Sequence, residues 1–152
     1  MLNMKWCPKC PDTANLVLRI AVGVTFIMHG SQKVFGAFGG GGVDGVSGFL
    51  MQLGLPMPHL MAYLLAFTEL FGGIGILLGA FTRLFAFLLS IVMLTAIFTV
   101  HLKNGFFADK GGFEYPFVIL GSTLSLFFTG CHSWGLDCTI FKKWCSSGSC
   151  SK

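Results

Sequence analysis

The chain has 152 residues, of which 11% are charged and 54% hydrophobic, with a net charge of +4 and a mean hydropathy of +0.78. Soluble domains carry roughly a quarter charged residues, so this chain is predicted to be solvated by lipid, with no room for a separate soluble catalytic domain. No Lys/Arg run or nucleic-acid-binding motif accompanies the small positive charge, which excludes nucleic acid as a partner and reads as membrane topology.

Residues 1–12 hold Cys7-Pro8-Lys9-Cys10 and Pro11, and are expected to form a turn-rich tail. Asp12 or Thr13 then caps a first helix from about Ala14 to Phe35. Arg19 interrupts its apolar stretch and no small-residue cleavage site follows, so the segment is expected to be a retained span and not a signal peptide. Gly36 to Gly48, with Gly39 to Gly42 in a row, reads as a flexible loop. Val46 to Leu53 is too short to cross a bilayer and suits an interfacial or re-entrant helix, ended by Gly54 and the Pro56/Pro58 pair.

Leu60 to Leu102 is one apolar block broken only by Glu69 and Thr82-Arg83. As a single helix it would be about 60 Å long, twice the hydrocarbon thickness, so it must fold back. Gly79 to Arg83 is the place for a tight hairpin, giving spans of about His59–Ala80 and Arg83–Leu102. Lys103 to Gly112 is a polar loop. A fourth span runs from about Phe113 to Gly130, with Glu114 and Pro116 in a first turn that suits both. Backbone groups in lipid must pair internally. The expected fold is therefore all-α: an integral membrane four-helix bundle with a short interfacial or re-entrant helix after helix 1, organised as a tail (1–12), a transmembrane domain (13–131) and a second tail (132–152). Seven of the ten Lys and Arg residues fall on the side of the two tails and the hairpin, so both termini are expected in the cytoplasm.

Alternating spans bring His29, Lys33, His59, His101 and Glu114 to one membrane level, with Glu69 deeper. In helix 1, Arg19, Gly23, Phe26, Gly30 and Lys33 fall on one stripe; Glu69, Gly72 and Gly73 share a face of the second span, and Glu114, Val118, Gly121 and Ser125 one of the fourth. Acids and cations are thus expected to face each other, with Arg19–Glu69 a candidate buried ion pair fixing helix register. Ionisable groups at membrane depth default to function. His29, His101, Glu114 and Glu69 are the candidate catalytic residues, and Arg19 and Lys33 the candidate cofactor-binding ones. His and carboxylate at an interface could serve a quinone headgroup, which needs hydrogen-bond partners and a proton source. No H-x-x-H pair supports a metal there. Gly75 and Gly79 form a G-x-x-x-G that suits packing inside the bundle or a homo-oligomer.

These residues resemble the DoxX family of small four-helix membrane proteins. The match runs through Leu18-Arg19-Ile20, His29-Gly30, Lys33-Val34-Phe35-Gly36, Glu69-Leu70-Phe71-Gly72-Gly73, Leu77-Leu78-Gly79, His101, Asn104-Gly105-Phe106-Phe107 and Glu114-Tyr115-Pro116, ending near Ser133 to Asp137. The resemblance implies an inner-membrane subunit or partner of an oxidoreductase system handling quinone, protons or thiols, with a soluble redox or thiol-handling protein as its partner. A non-catalytic scaffold or small-solute transporter is the alternative. The family's ending looks like Gly followed by Ser-Leu-Asp; Ser133-Trp134-Gly135-Leu136-Asp137 carries an insertion that leaves the role of Asp137 open.

Six cysteines lie outside that pattern, all in the tails. Cys7, Cys10, Cys145 and Cys150 are candidate zinc ligands, with Cys138 an equal candidate for one place and Cys131 the sixth thiol. A redox dithiol, an iron–sulfur cluster and unliganded thiols stay open alternatives, as do disulfides if the orientation is reversed.

Overall fold

The computed structural model describes residues 10–130 and 134–137. These residues are helical, with no strand among them. Helix α1 (Cys10–Phe35) leads through a 3-10 turn at Ala37–Gly39 into the short α2 (Gly42–Gln52). Helix α3 (Pro58–Leu78) turns tightly into α4 (Thr82–Ala96), which continues through a π turn at Ile97–His101 and a 3-10 turn at Leu102–Asn104. Helix α5 (Glu114–Thr129) follows a loop. Asp12–Phe35, Pro58–Leu78 and Thr82–Asn104 are long and apolar enough to cross a membrane. Helix α5 has 16 residues, about 24 Å of rise. The architecture is the expected helical bundle with a short helix after the first long one.

The outside of the bundle is apolar, as lipid requires: Phe35, Leu64, Phe71, Phe98 and Phe128 are all exposed. The inside is small and close-packed. Val22, Phe26, Ile76, Ala86, Leu89 and Leu126 form the core. Lipid tails give helices no hydrophobic reason to associate, so close backbone approach must do the work. Antiparallel α1 and α3 meet through glycines. A Cβ on Gly30 would stand 2.5 Å from the Leu70 nitrogen, and one on Gly73 would stand 2.9 Å from the Gly23 carbonyl oxygen. The stripe predicted on α1 is this seam: Arg19, Gly23, Phe26 and Gly30 are buried along it and Lys33 is half-buried at its end.

The hairpin forms where expected. Gly79 closes α3 in the left-handed region (φ 68°) and Phe81 opens α4 in the same region (φ 50°). Gly75 packs against the Phe85 ring, so the G-x-x-x-G serves the α3–α4 contact and its turn. On the far side of α4, Ser90 donates to Thr123 Oγ1 at 2.8 Å, joining α4 to α5.

Three expectations are corrected. The first helix begins at Cys10, inside the predicted turn-rich tail, because Pro11 falls in the first turn, where its missing N–H is not needed. The glycine-rich stretch is not one flexible loop: Gly42, Gly45 and Gly48 belong to α2, whose Val43, Val46, Phe49 and Leu50 supply an apolar side. Finally, α5 turns a different face inward. Pro116, Leu120, Thr123 and Leu126 are buried, whereas Val118, Gly121 and Ser125 are exposed. A helix apolar all round carries no rotational signal in its hydropathy; the Ser90–Thr123 hydrogen bond and close packing select the face.

Candidate functional site

Glu69 is the deepest ionisable group of α3, 2% exposed. The α1–α3 glycine seam brings the last turn of α1 alongside it. There Lys33 Nζ forms an ion pair with Glu69 Oε1, with side-chain exposures of 25% and 2%. Lys33 also sits well at a helix C-terminus, where a cation meets the negative end of the dipole. The second oxygen, Glu69 Oε2, is buried and has no hydrogen-bond partner among the described residues. A buried polar atom without a partner is costly, and an ionised carboxylate can only accept. This arrangement leaves one acceptor position open at membrane depth.

His29 lies one turn before Lys33 on the same face of α1. Its Nδ1 lies 2.9 Å from the Thr25 carbonyl oxygen. A carbonyl only accepts, so Nδ1 is the donor in this contact and Nε2 is left for another partner. The His29 ring centroid is 6.3 Å from that of Tyr115, which brings the start of α5 to this pole of the bundle.

His101 and Glu114 share that pole but do not join the pair. His101 Nδ1 donates to the Gly111 carbonyl oxygen at 2.7 Å; Glu114 Oε2 accepts from the Ala108 N–H at 3.0 Å. Asn104 also donates to the Gly111 carbonyl, at 3.1 Å. These side chains fold the loop between α4 and α5. His59 Nδ1 lies 3.0 Å from Ser47 Oγ, tying α2 to the start of α3. The structure gives these groups separate local attachments. Among the described residues no group of three His, Cys, Asp or Glu comes together that could hold a metal ion.

Arg19 does not pair with Glu69 as the sequence suggested. It is 2% exposed and donates to the Ile76 and Leu77 carbonyl oxygens, both at 2.9 Å, and to the Trp134 carbonyl oxygen at 3.1 Å. The Leu77 carbonyl is an orphan of the last turn of α3, the Ile76 carbonyl also accepts from the Gly79 N–H, and the Trp134 carbonyl belongs to the segment after α5. Ile76 lies two turns beyond Glu69, and Arg19 sits two heptads before Lys33, so the antiparallel geometry separates the two acid–base opportunities.

Sequence reasoning missed Asp137. Its carboxylate accepts from Phe81 N–H at 2.6 Å and Thr82 N–H at 2.9 Å, and its own N–H donates to the Gly79 carbonyl at 2.8 Å. It is the cap of α4, delivered from more than fifty residues away, and it holds Phe81 in its left-handed conformation. Asn15 was missed as well: it donates to Thr129 Oγ1 at 3.2 Å and to the Gly130 carbonyl at 3.0 Å. No local sequence signal marked either, because each bonds to residues more than fifty positions away. The zinc proposal for Cys7, Cys10, Cys145 and Cys150 lies outside the described side chains, as do Cys131 and Cys138.

A small helical bundle with charged groups buried between its helices defines a class of membrane protein. The DoxX family model matches residues 14–102. The chain is 33% identical over 131 residues to the "Putative oxidoreductase CatD" of Bacillus subtilis, covering 86% of this chain and 90% of that one. It is 35% identical over 133 residues to an "Uncharacterized protein" of Haemophilus influenzae, covering 83% and 90%. Over 68 residues it is 40% identical to the "Inner membrane protein YphA" of Escherichia coli, covering 45% and 44%. No solved structure matches significantly. The chain belongs to the DoxX family and is a membrane protein.

Proposed function

We propose that this chain is the membrane component of an oxidoreductase system, and that a neutral, lipid-soluble carrier of the quinone class meets it at Lys33 and Glu69. The observation that carries this reading is the unpartnered Oε2 of a buried carboxylate. The donor set fits such a ligand. Lys33 keeps N–H donors beyond the one on Glu69 for a carbonyl, and Oε2 accepts from a hydroxyl. The pair is charge-balanced, so an anion or a cation would each meet a like charge, while an uncharged ring would not. A quinone, when bound, supplies two-electron, two-proton chemistry; the chain's part is to orient it and to exclude water. His29, one turn away with Nε2 left for another partner, is the additional acid–base group. The name of the Bacillus relative supports the oxidoreductase side of the reading.

The rest of the assignment follows from it: an inner-membrane location, four crossings, both termini in the cytoplasm, and a soluble redox or thiol-handling protein supplying electrons, with zinc or a dithiol at the tail cysteines. Titrating the purified full chain in detergent with a short-chain ubiquinone analogue tests the site. Saturable binding that weakens at least about tenfold in Glu69→Gln and Lys33→Met, as a lost charge-assisted hydrogen bond would give, is expected. Equal binding by wild type and both variants overturns it. A second reading, a non-catalytic scaffold, is favoured by the structural employment of Arg19, His101 and Glu114. It predicts no quinone binding and a co-purifying soluble enzyme.

A further inference from the structure

We propose a second binding site, for an ammonium group, in the cleft between the end of α1, the start of α2 and the outer side of α3. The cleft has a volume of about 510 Å³ and is lined by Gly36, Gly42, Asp44, Tyr63 and Phe67 among others. That is the size range of small-ligand sites. Its floor is glycine backbone. Gly36 and Gly42 both lie in the left-handed region, at φ 66° and 62°, where side chains are disfavoured. A Cβ on Gly36 would stand 3.2 Å from the Gly40 carbonyl oxygen, so the turn that lines the cleft closes tightly on itself.

The chemistry of the walls selects a cation. Asp44 is the only ionisable carboxylate among the lining residues, and no Lys, Arg or His lines the cleft. Lys33, the cation nearest in sequence, is held by Glu69. Asp44 lies in the first turn of α2, and its carboxylate has no hydrogen-bond or ion-pair partner among the described residues. In the same lining, Tyr63 and Phe67 stack with ring centroids 6.2 Å apart and planes at 14°, and they are 50% and 40% exposed. A carboxylate and aromatic rings lining one cleft are the groups that recognise alkylammonium ions. That ammonium could belong to a phospholipid headgroup or to a free amine.

Two measurements on the full chain in detergent separate the sources. Calorimetric titration with tetramethylammonium reads the site itself, and native mass spectrometry reads retention of phosphatidylethanolamine against phosphatidylglycerol. Saturable tetramethylammonium binding, weakened about tenfold in Asp44→Asn by loss of the Coulombic attraction and several-fold in Tyr63→Leu, is expected; Asp109→Asn, an exposed carboxylate elsewhere, should leave it unchanged. Selective retention of phosphatidylethanolamine, lost in Asp44→Asn, assigns the ammonium to a headgroup; tetramethylammonium binding without lipid preference assigns it to a soluble amine. The absence of both signals, or equal binding by wild type and Asp44→Asn, overturns the proposal. Both substituted positions are exposed, so unchanged helical circular dichroism confirms that a loss is local.

Discussion

The two poles of the bundle use buried charge in opposite ways. At the hairpin pole, Arg19 reaches three backbone carbonyls at the end of α3 and beyond α5, and Asp137 takes the first amides of α4. Each charge there completes a helix end, and the guanidinium's fixed fork is suited to several carbonyls at once. At the other pole Glu69 meets Lys33 with one oxygen and, among the described residues, nothing with the other. Asn15 Oδ1 at the hairpin pole also lacks a partner, but a neutral amide left unpaired costs far less than a carboxylate. The same expense, a charge buried at membrane depth, is thus fully matched by structure at one end and only half matched at the other. The unmatched half is the reason for placing function at Lys33–Glu69 rather than at Arg19.

The comparison predicts that damage at the hairpin pole is structural. Arg19→Met should be the most disruptive single change, since it removes a buried cation together with its hydrogen bonds to the Ile76, Leu77 and Trp134 carbonyls. A loss of about 3 kcal/mol or more is expected, read as a large drop in Tm in detergent. Arg19→Lys should recover only part of it, because an ammonium cannot hold the same three acceptors; full recovery would break the distinction between the poles. Gly30→Ala follows. Its Cβ would collide with the Leu70 backbone, and separating α1 from α3 should cost about 1–3 kcal/mol while also weakening quinone-analogue binding, because the same seam delivers Lys33 to Glu69. Lys33→Met alone should destabilise by leaving Glu69 buried and unpaired, whereas Lys33→Met with Glu69→Leu should regain stability without regaining binding. A double variant as unstable as the single one would show that the pair is held for architecture.

The contrast between poles was only partly legible in the sequence. The stripe from Arg19 to Lys33 was readable because helical spacing and glycines at i+4 and i+11 leave few other uses for it. The hairpin was readable from length alone, since no bilayer accommodates an unbroken Leu60–Leu102. The partners of Arg19 were not, because backbone carbonyls at a helix end carry no residue signature; a side-chain partner, Glu69, was the visible alternative. Asp137 was hidden for the converse reason: caps are sought beside the helix they close, and this one arrives from beyond α5. The inward face of α5 was unreadable because hydrophobic residues surround it, and only Thr123 opposite Ser90 distinguishes one side. Glu114 misled by residue type: an acid at a helix start fits dipole stabilisation, loop folding and catalysis equally well until its hydrogen bond to Ala108 is known.

The smallest expected effect is also the one that most cleanly separates loop folding from chemistry. His101 and Asn104 share one acceptor, the Gly111 carbonyl, so either can partly hold the loop when the other is lost. His101→Gln should therefore cost only about 0.5–1.5 kcal/mol, the net worth of one hydrogen bond, measured by thermal unfolding. The loss in His101→Gln/Asn104→Ala should exceed the sum of the two single losses, since the second deletion leaves the carbonyl without either donor. If the loop is the whole role of His101, quinone-analogue binding stays at the wild-type value in both variants. A binding loss in His101→Gln out of proportion to its small Tm change would move His101 into the functional site, and the division of the molecule into a pole of architecture and a pole of chemistry would have to be redrawn around the π turn that carries it.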